Sequence, residues 1–219
     1  QAIERAVHAI NPNAIIYGEA WDMASTTTRA TMMTQNNAKK VTATEGAAGA
    51  VAVFNDKSRD GVKGSVWDAV PHGYINGDPT SNAGAVKFGI AGSSIAGAGW
   101  TVADGNVINY MSCHDNMTLW DILTLSCPDS TAEELLMRNR LGIGVLMISQ
   151  GTPFWQAGEE MLRTKGGDHN SYMSGDAVNN INWDVLSAGS NEYAAMEYYQ
   201  GLIEMRKAYE IFRSTDSSV

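Results

Sequence analysis

The sequence predicts an α/β fold built on a parallel sheet, and three observations carry that expectation. Short apolar runs recur, each ending in a burst of polar residues: Ala14-Ile15-Ile16-Tyr17 before Gly18-Glu19, Val51-Ala52-Val53-Phe54 before Asn55-Asp56, Val107 to Met111 before Ser112 to Asn116, and Thr152 to Gln156 before Gly158-Glu159-Glu160. A run that is apolar throughout reads as a strand buried on both faces, as in parallel sheets. Helix-period stretches alternate with these runs, and in such βα series the chemistry sits at the C-terminal ends of the strands.

Taken in order, Ala2, Ile3, Ala6, Val7 and Ile10 fall on one helix face. Pro12 ends that helix, because the residue before a proline is pushed out of helical geometry. The strand Ala14–Tyr17 follows, then a Thr-, Ala- and Asn-rich stretch over 25–50 that reads as a long loop. After the strand Val51–Phe54, a Gly-rich stretch over 65–105 reads as a second long loop, with a short helix near Val86 to Ile90. A long helix spans about Thr131 to Ile148, capped by Ser130 or Thr131, with Glu133 and Glu134 in its first turn and Gly151 suited to a left-handed stop. A last helix covers roughly Asn191 to Tyr209. A closed eight-stranded barrel takes about 250 residues, so four strands mean either a small open sheet or half of a barrel.

Composition narrows the function classes. The 219 residues suffice for one domain or a piece of a larger one, and 44% hydrophobic content is enough for a packed core. Lys+Arg 15 against Asp+Glu 24 gives a net charge of −9, which argues against nucleic acid as a partner. No run of about 18 apolar residues is present, so no membrane insertion is expected. No basic and then apolar leader pattern opens the sequence, although Gln1 is not a natural start. Two cysteines make neither a disulfide framework nor a four-ligand zinc site. Asp56, Asp60, Glu159, Glu160 and Asp168 could donate oxygens, but no spacing matches a calcium loop, so neither metal nor cofactor is assigned. The stretch Gly89 to Gly99 lacks the features of a phosphate loop.

Two strand ends can carry chemistry. Glu19 lies between Tyr17 and Trp21; burial against aromatic walls would raise its pKa and suit it to general acid work, whereas a solvated Glu at a strand end would do nothing. His114-Asp115-Asn116 could bind a polyhydroxylated ligand, or Asp115 or Asn116 could simply cap the following turn at Thr118-Leu119-Trp120-Asp121. Trp21, Trp120, Trp155 and Tyr172 could stack on sugar rings or belong to the core. Cys113, with no base at useful spacing, reads as a small buried hydrophobe.

Several of these segments together resemble a known family. Tyr17-Gly18-Glu19-Ala20-Trp21 resembles the fifth-strand motif of glycoside hydrolase family 13, and Asn109 to Asn116 its seventh-strand motif. Thr118-Leu119-Trp120-Asp121 directly after His-Asp-Asn is similar to the type I pullulanases. Phe54-Asn55-Asp56, Arg59-Asp60 and Lys63-Gly64-Ser65 resemble the sixth-strand region, and Gly151 to Lys165, then Asn170-Ser171-Tyr172, Asp176, Val178-Asn179 and Ile181-Asn182-Trp183, resemble the eighth. The motifs occur in the family's order from Gln1 to about Arg213.

The resemblance implies residues 1–219 as one partial catalytic domain: the C-terminal half, strands five to eight, of a (β/α)8 barrel. It implies retaining hydrolysis of α-1,6-glucosidic bonds in pullulan and branched dextrins by the whole enzyme, with an α-glucan as partner. Glu19 would be the acid/base, Asp115 the carboxylate stabilising the transition state, and His114, Trp21, Asn116, Tyr172 and Asp176 substrate-binding residues. The family nucleophile lies in an Arg-x-Asp motif on strand four, and no Arg-x-Asp occurs in this sequence. The chain alone is therefore expected to have little or no hydrolase activity. Half a barrel also exposes sheet edges, which points to self-association or capping. The alternatives are an isoamylase or an α-1,4-acting amylase of the same family, and a non-catalytic glucan-binding fragment.

Overall fold

The computed structural model describes residues 2–19, 21, 32, 34, 35, 37, 38, 51–93 and 106–214. Most of the 25–50 stretch, expected as a long loop, lies outside the described residues. Four strands form one parallel sheet in chain order: β1 Tyr17–Gly18, β2 Ala52–Phe54, β3 Val107–Tyr110 and β4 Thr152–Phe154. Around them lie α1 Ala2–Ile10, α2 Asp56–Lys63, α3 Pro79–Ile90, α4 Leu119–Ser126, α5 Ala132–Ile148, the short α6 Asp176–Asn179 and α7 Asn191–Ala208. Among the described residues no helix is long and apolar enough to cross a membrane.

The first strand differs from expectation. It covers two residues rather than Ala14 to Tyr17, and it is not buried on both faces: Ile15 and Tyr17 are exposed. Among the described residues β1 is an outer strand with a single neighbour, so nothing covers its far side. The apolar stripe of α1 is similarly uncovered, since Ile3 and Ile10 face solvent and its one buried residue is Glu4. In the centre the expectation holds: all residues of β2 and β3 are buried.

The two faces of the sheet differ in chemistry. Ala52, Phe54, Ile108 and Tyr110 share one face with Phe154. There Phe54 packs edge-on to Tyr110 and Phe154, at centroid distances of 4.8 and 5.2 Å, and Tyr17 joins at 5.9 Å. Val53 and Val107 point to the other face and pack with Ala38 and Phe88 of α3. Buried amides tie the strands together: Asn55 Nδ2 donates to Asn109 Oδ1 and Ser93 Oγ, both at 2.9 Å, and Asn109 Nδ2 donates to the Gln150 carbonyl at 2.6 Å. A larger core joins Val62, Ile75, Val86, Leu119, Ile122, Leu123, Ile143 and Tyr199 from the surrounding helices. Burying each such side chain contributes about 1.5–3 kcal/mol.

Local signals explain the helix starts. Thr131 accepts from Glu134 N while the Glu134 carboxylate accepts from Thr131 N, a full capping box for α5. Helix α5 ends at the Ser149 cap, so Gly151, left-handed at φ 97°, opens β4 instead of stopping the helix. Asn55 caps α2, and Asp78 with Pro79 starts α3. Helix α3 corrects the reading of 65–105 as a loop with only a short helix, for it is twelve residues long.

Candidate active site

Two strand ends converge at one edge of the aromatic face. Glu19 follows β1, and the connector from β3 to α4 carries His114, Asp115 and Asn116. His114 Nε2 lies 3.9 Å from Glu19 Oε1 and 3.7 Å from Asp115 Oδ1. One ligand atom from each of the three residues falls within 4.8 Å of the others, the only such His, Cys, Asp or Glu group of three or more among the described residues. The side chains are open to solvent, with 75% of His114, 62% of Asp115 and 49% of Glu19 accessible. The aromatic burial expected around Glu19 is thus not found. Tyr17 packs its ring against Phe54 and Phe154, at centroid distances of 5.9 and 6.2 Å.

The connector's shape frees its polar residues. Thr118 caps α4 by accepting from Asp121 N, so neither Asp115 nor Asn116 is the cap. Asn116 takes a left-handed backbone at φ 63°, a conformation that Asn tolerates better than most residues. Cys113 is partly buried rather than fully buried. It packs against the aromatic cluster, and burial pushes its thiol up, away from the reactive thiolate.

A cavity of about 530 Å³ is lined by Asp115 of this group. Of the residues singled out from sequence, Trp21, Asp115 and Asn116 line it. Glu19, His114, Tyr172 and Asp176 do not line it, and Tyr172 is largely exposed. Arg59, Val66, Trp67, His169 and Asn170 complete the wall. None of these five carried a role from sequence. Arg59 and Asn170 stood inside recognisable motifs, but Trp67 lay in a stretch read as loop. Arg59 is held by Asp60 at 2.7 Å, donates to the Tyr110 hydroxyl and sits 5.3 Å from that ring's centroid. Tyr110 in turn donates to Asp56 at 2.6 Å.

Behind the site lie two buried titratable groups. Glu159 accepts from the hydroxyls of Ser112 and Tyr199, yet burial raises its pKa to about 7. Burial lowers Lys63 to about 8.

Comparison with known proteins agrees with these motifs. No family model matches the chain. The pullulanase of Bacillus subtilis (strain 168) is 34% identical over 216 residues, 96% of this chain and 28% of that protein. The solved pullulanase from Bacillus acidopullulyticus superposes with a TM-score of 0.88 at 36% identity, covering 99% of this chain and 25% of its own. The pullulanase from Paenibacillus barengoltzii, solved with maltohexaose and α-cyclodextrin, gives a TM-score of 0.89 at 34% identity, covering 99% of this chain and 32% of its own. The chain thus spans about a quarter to a third of the proteins it matches. In sequence and in fold, nearly its whole length is similar to a part of these pullulanases.

Proposed function

We propose that this chain supplies the acid/base side of the cleavage centre of a starch-debranching glycoside hydrolase, and that its sheet is the second half of a (β/α)8 barrel. The observation that carries the proposal is the convergence of Glu19 and Asp115 on His114 Nε2 from two different strand ends. The parallel strand order supports the barrel reading, with the aromatic face as the barrel interior. The maltohexaose and α-cyclodextrin bound by the Paenibacillus barengoltzii relative support an α-glucan as the ligand of the cavity.

Each residue type suits a step. The Glu19 carboxyl donates a proton to the glycosidic oxygen as the bond breaks, then takes one from the water that releases the sugar. Ionised Asp115 opposes the positive charge developing on the sugar ring. His114 and Asn116 donate to or accept from sugar hydroxyls, and the indoles of Trp21 and Trp67 offer stacking faces beside them. Tyr172 and Asp176, beyond the cavity lining, serve the outer part of a longer glucan. The covalent step needs a second carboxylate about 5–5.5 Å from the acid. No Arg-x-Asp motif in these 219 residues offers the family's nucleophile. A covering segment that brought it would also shield Glu19 from water.

The test is complementation. The purified chain should release no reducing sugar from pullulan. Mixed or fused with the preceding barrel segment of the Bacillus subtilis pullulanase, it should gain activity, and Glu19→Gln should then cut turnover by about 10²–10⁴-fold. Pullulan cleavage by the chain alone would overturn the assignment, and so would an active complement indifferent to Glu19→Gln.

A further inference from the structure

Lys165 stands out among the groups that the proposed mechanism leaves idle. It follows β4 in sequence and is 6% exposed. Its ammonium donates to the His114 carbonyl at 3.2 Å and to Ser171 Oγ at 2.7 Å. Both acceptors are neutral, and among the described residues no carboxylate oxygen lies within 4.0 Å of the ammonium. Holding a cation there is costly, and burial lowers its pKa accordingly. A neutral apolar side chain would fill that space at lower cost, so fold stability alone does not explain a lysine.

Its two acceptors adjoin two of the segments that line the cavity. His114 directly precedes Asp115 and Asn116, which line it. Ser171 directly follows His169 and Asn170, which also line it. The first segment is pinned on either side of Lys165's contact. Ser112 donates to Glu159, while Asp121 accepts from the Thr164 hydroxyl and, at 2.9 Å, from Lys165 N. The second segment is held by Asn179, whose Nδ2 donates to the carbonyls of Ser171 and Ser174, both at 2.7 Å. Between these anchors the Lys165 ammonium is, among the described residues, the one side-chain donor that reaches both segments.

We propose that Lys165 is a positioning residue of the glucan site: by bridging the His114 carbonyl and the Ser171 hydroxyl it fixes the spacing between the Asp115–Asn116 and His169–Asn170 walls of the cavity. The inference rests on the reading of that cavity as a glucan site. Lys165 touches no sugar itself and acts through the backbone of the first wall and the side chain of the second.

The test uses the 219-residue chain and maltohexaose, followed by the fluorescence of Trp21 and Trp67 and by the amide NMR signals of Asn116 and Asn170. The wild type should saturate. Lys165→Met should weaken binding about tenfold or more, because two hydrogen bonds to a charged donor are lost. It should also shift the Asn116 and Asn170 signals together. Ser171→Ala should weaken binding severalfold, and the double variant should be no weaker than Lys165→Met, since both break one bridge. Lys165→Arg, which can still reach two acceptors, should recover part of the affinity. Thr131→Ala, which lowers stability far from the cavity, should bind like the wild type, separating loss of position from loss of stability. Binding by Lys165→Met within twofold of wild type would overturn the inference and leave the glucan reading intact. If Lys165→Met does not fold, Ser171→Ala decides, and unchanged binding there overturns the inference. A wild type that binds no maltohexaose would instead sink the glucan reading beneath it.

Discussion

Glu159 and Glu160 are neighbours of identical chemistry, yet the fold treats them differently. Glu159 is buried against Ser112 and Tyr199, while Glu160 turns back to accept from Gly158 N at 3.0 Å. The burial of Glu159 has a pH consequence. Its pKa rises from 4.5 to about 7, so the folded state holds a proton that the unfolded chain releases. Stability from this group is full below pH 4.5 and is lost as pH climbs to about 7. Lys63 works in the opposite sense. Its pKa falls from 10.5 to about 8, so its contribution is full above pH 10.5 and is lost as pH drops to about 8. Together they place the weakest point between about pH 7 and 8. Urea midpoints of Glu159→Gln against wild type should converge near pH 4.5 and diverge toward pH 7, with the variant's curve the flatter one. Parallel curves across that range would show that Glu159 titrates alike in both states. Nothing in the Gly158-Glu159-Glu160 pattern distinguishes the two residues, because burial is set by what packs over them.

At the scale of the element, sequence signals and structure agree where a segment is long or strongly capped. Helices α5 and α7 have bounds within a residue or so of the Thr131 to Ile148 and Asn191 to Tyr209 expected from sequence. Helices α2 and α3 do not announce themselves. The α2 segment is dominated by Asp, Lys, Ser and Arg, and α3 carries two glycines, so neither shows a clear apolar stripe. Tertiary contact makes them. The segment after α2 folds back on it, Tyr74 N donating to the Gly61 carbonyl at 2.9 Å and Ile75 N to Val62 at 3.0 Å. Gly73 sits where the two backbones touch. A Cβ there would lie 2.3 Å from Gly64 N and 2.6 Å from the Lys63 carbonyl carbon. Neither atom is the end of a flexible side chain, so Gly73→Ala should destabilise the chain by about 2–3 kcal/mol. Denaturant unfolding measures this, and a change below about 0.5 kcal/mol would mean that the backbones part easily.

For the molecule as a whole, the uncovered surfaces decide behaviour. Among the described residues β1 and β4 are the outer strands of the sheet, Ile3 and Ile10 of α1 face solvent, and Ile15 and Tyr17 at the β1 edge are exposed. Open edges and apolar faces invite pairing. Sedimentation velocity over a concentration series should therefore show a mass that rises above the monomer, and Ile10→Glu should reduce the rise. A monomer at every concentration would show that the exposed faces need no cover. The same openness accounts for the solvated Glu19: strand order fixes its position, but only a neighbouring layer can bury it.

The parallel βα order, most of the strand positions, the long helices and the placing of Glu19 and His114-Asp115 just after strands can be read from the chain's local patterns. These are legible because hydrophobic period, caps and strand-end motifs are local properties of the chain. That Thr118 rather than Asp115 caps α4, that Arg59, Trp67 and Asn170 share a cavity with Trp21, and that Lys165 reaches His114 and Ser171 are set by the folded chain alone. Those facts depend on segments far apart in sequence meeting in space, and no local pattern encodes the distance at which they meet.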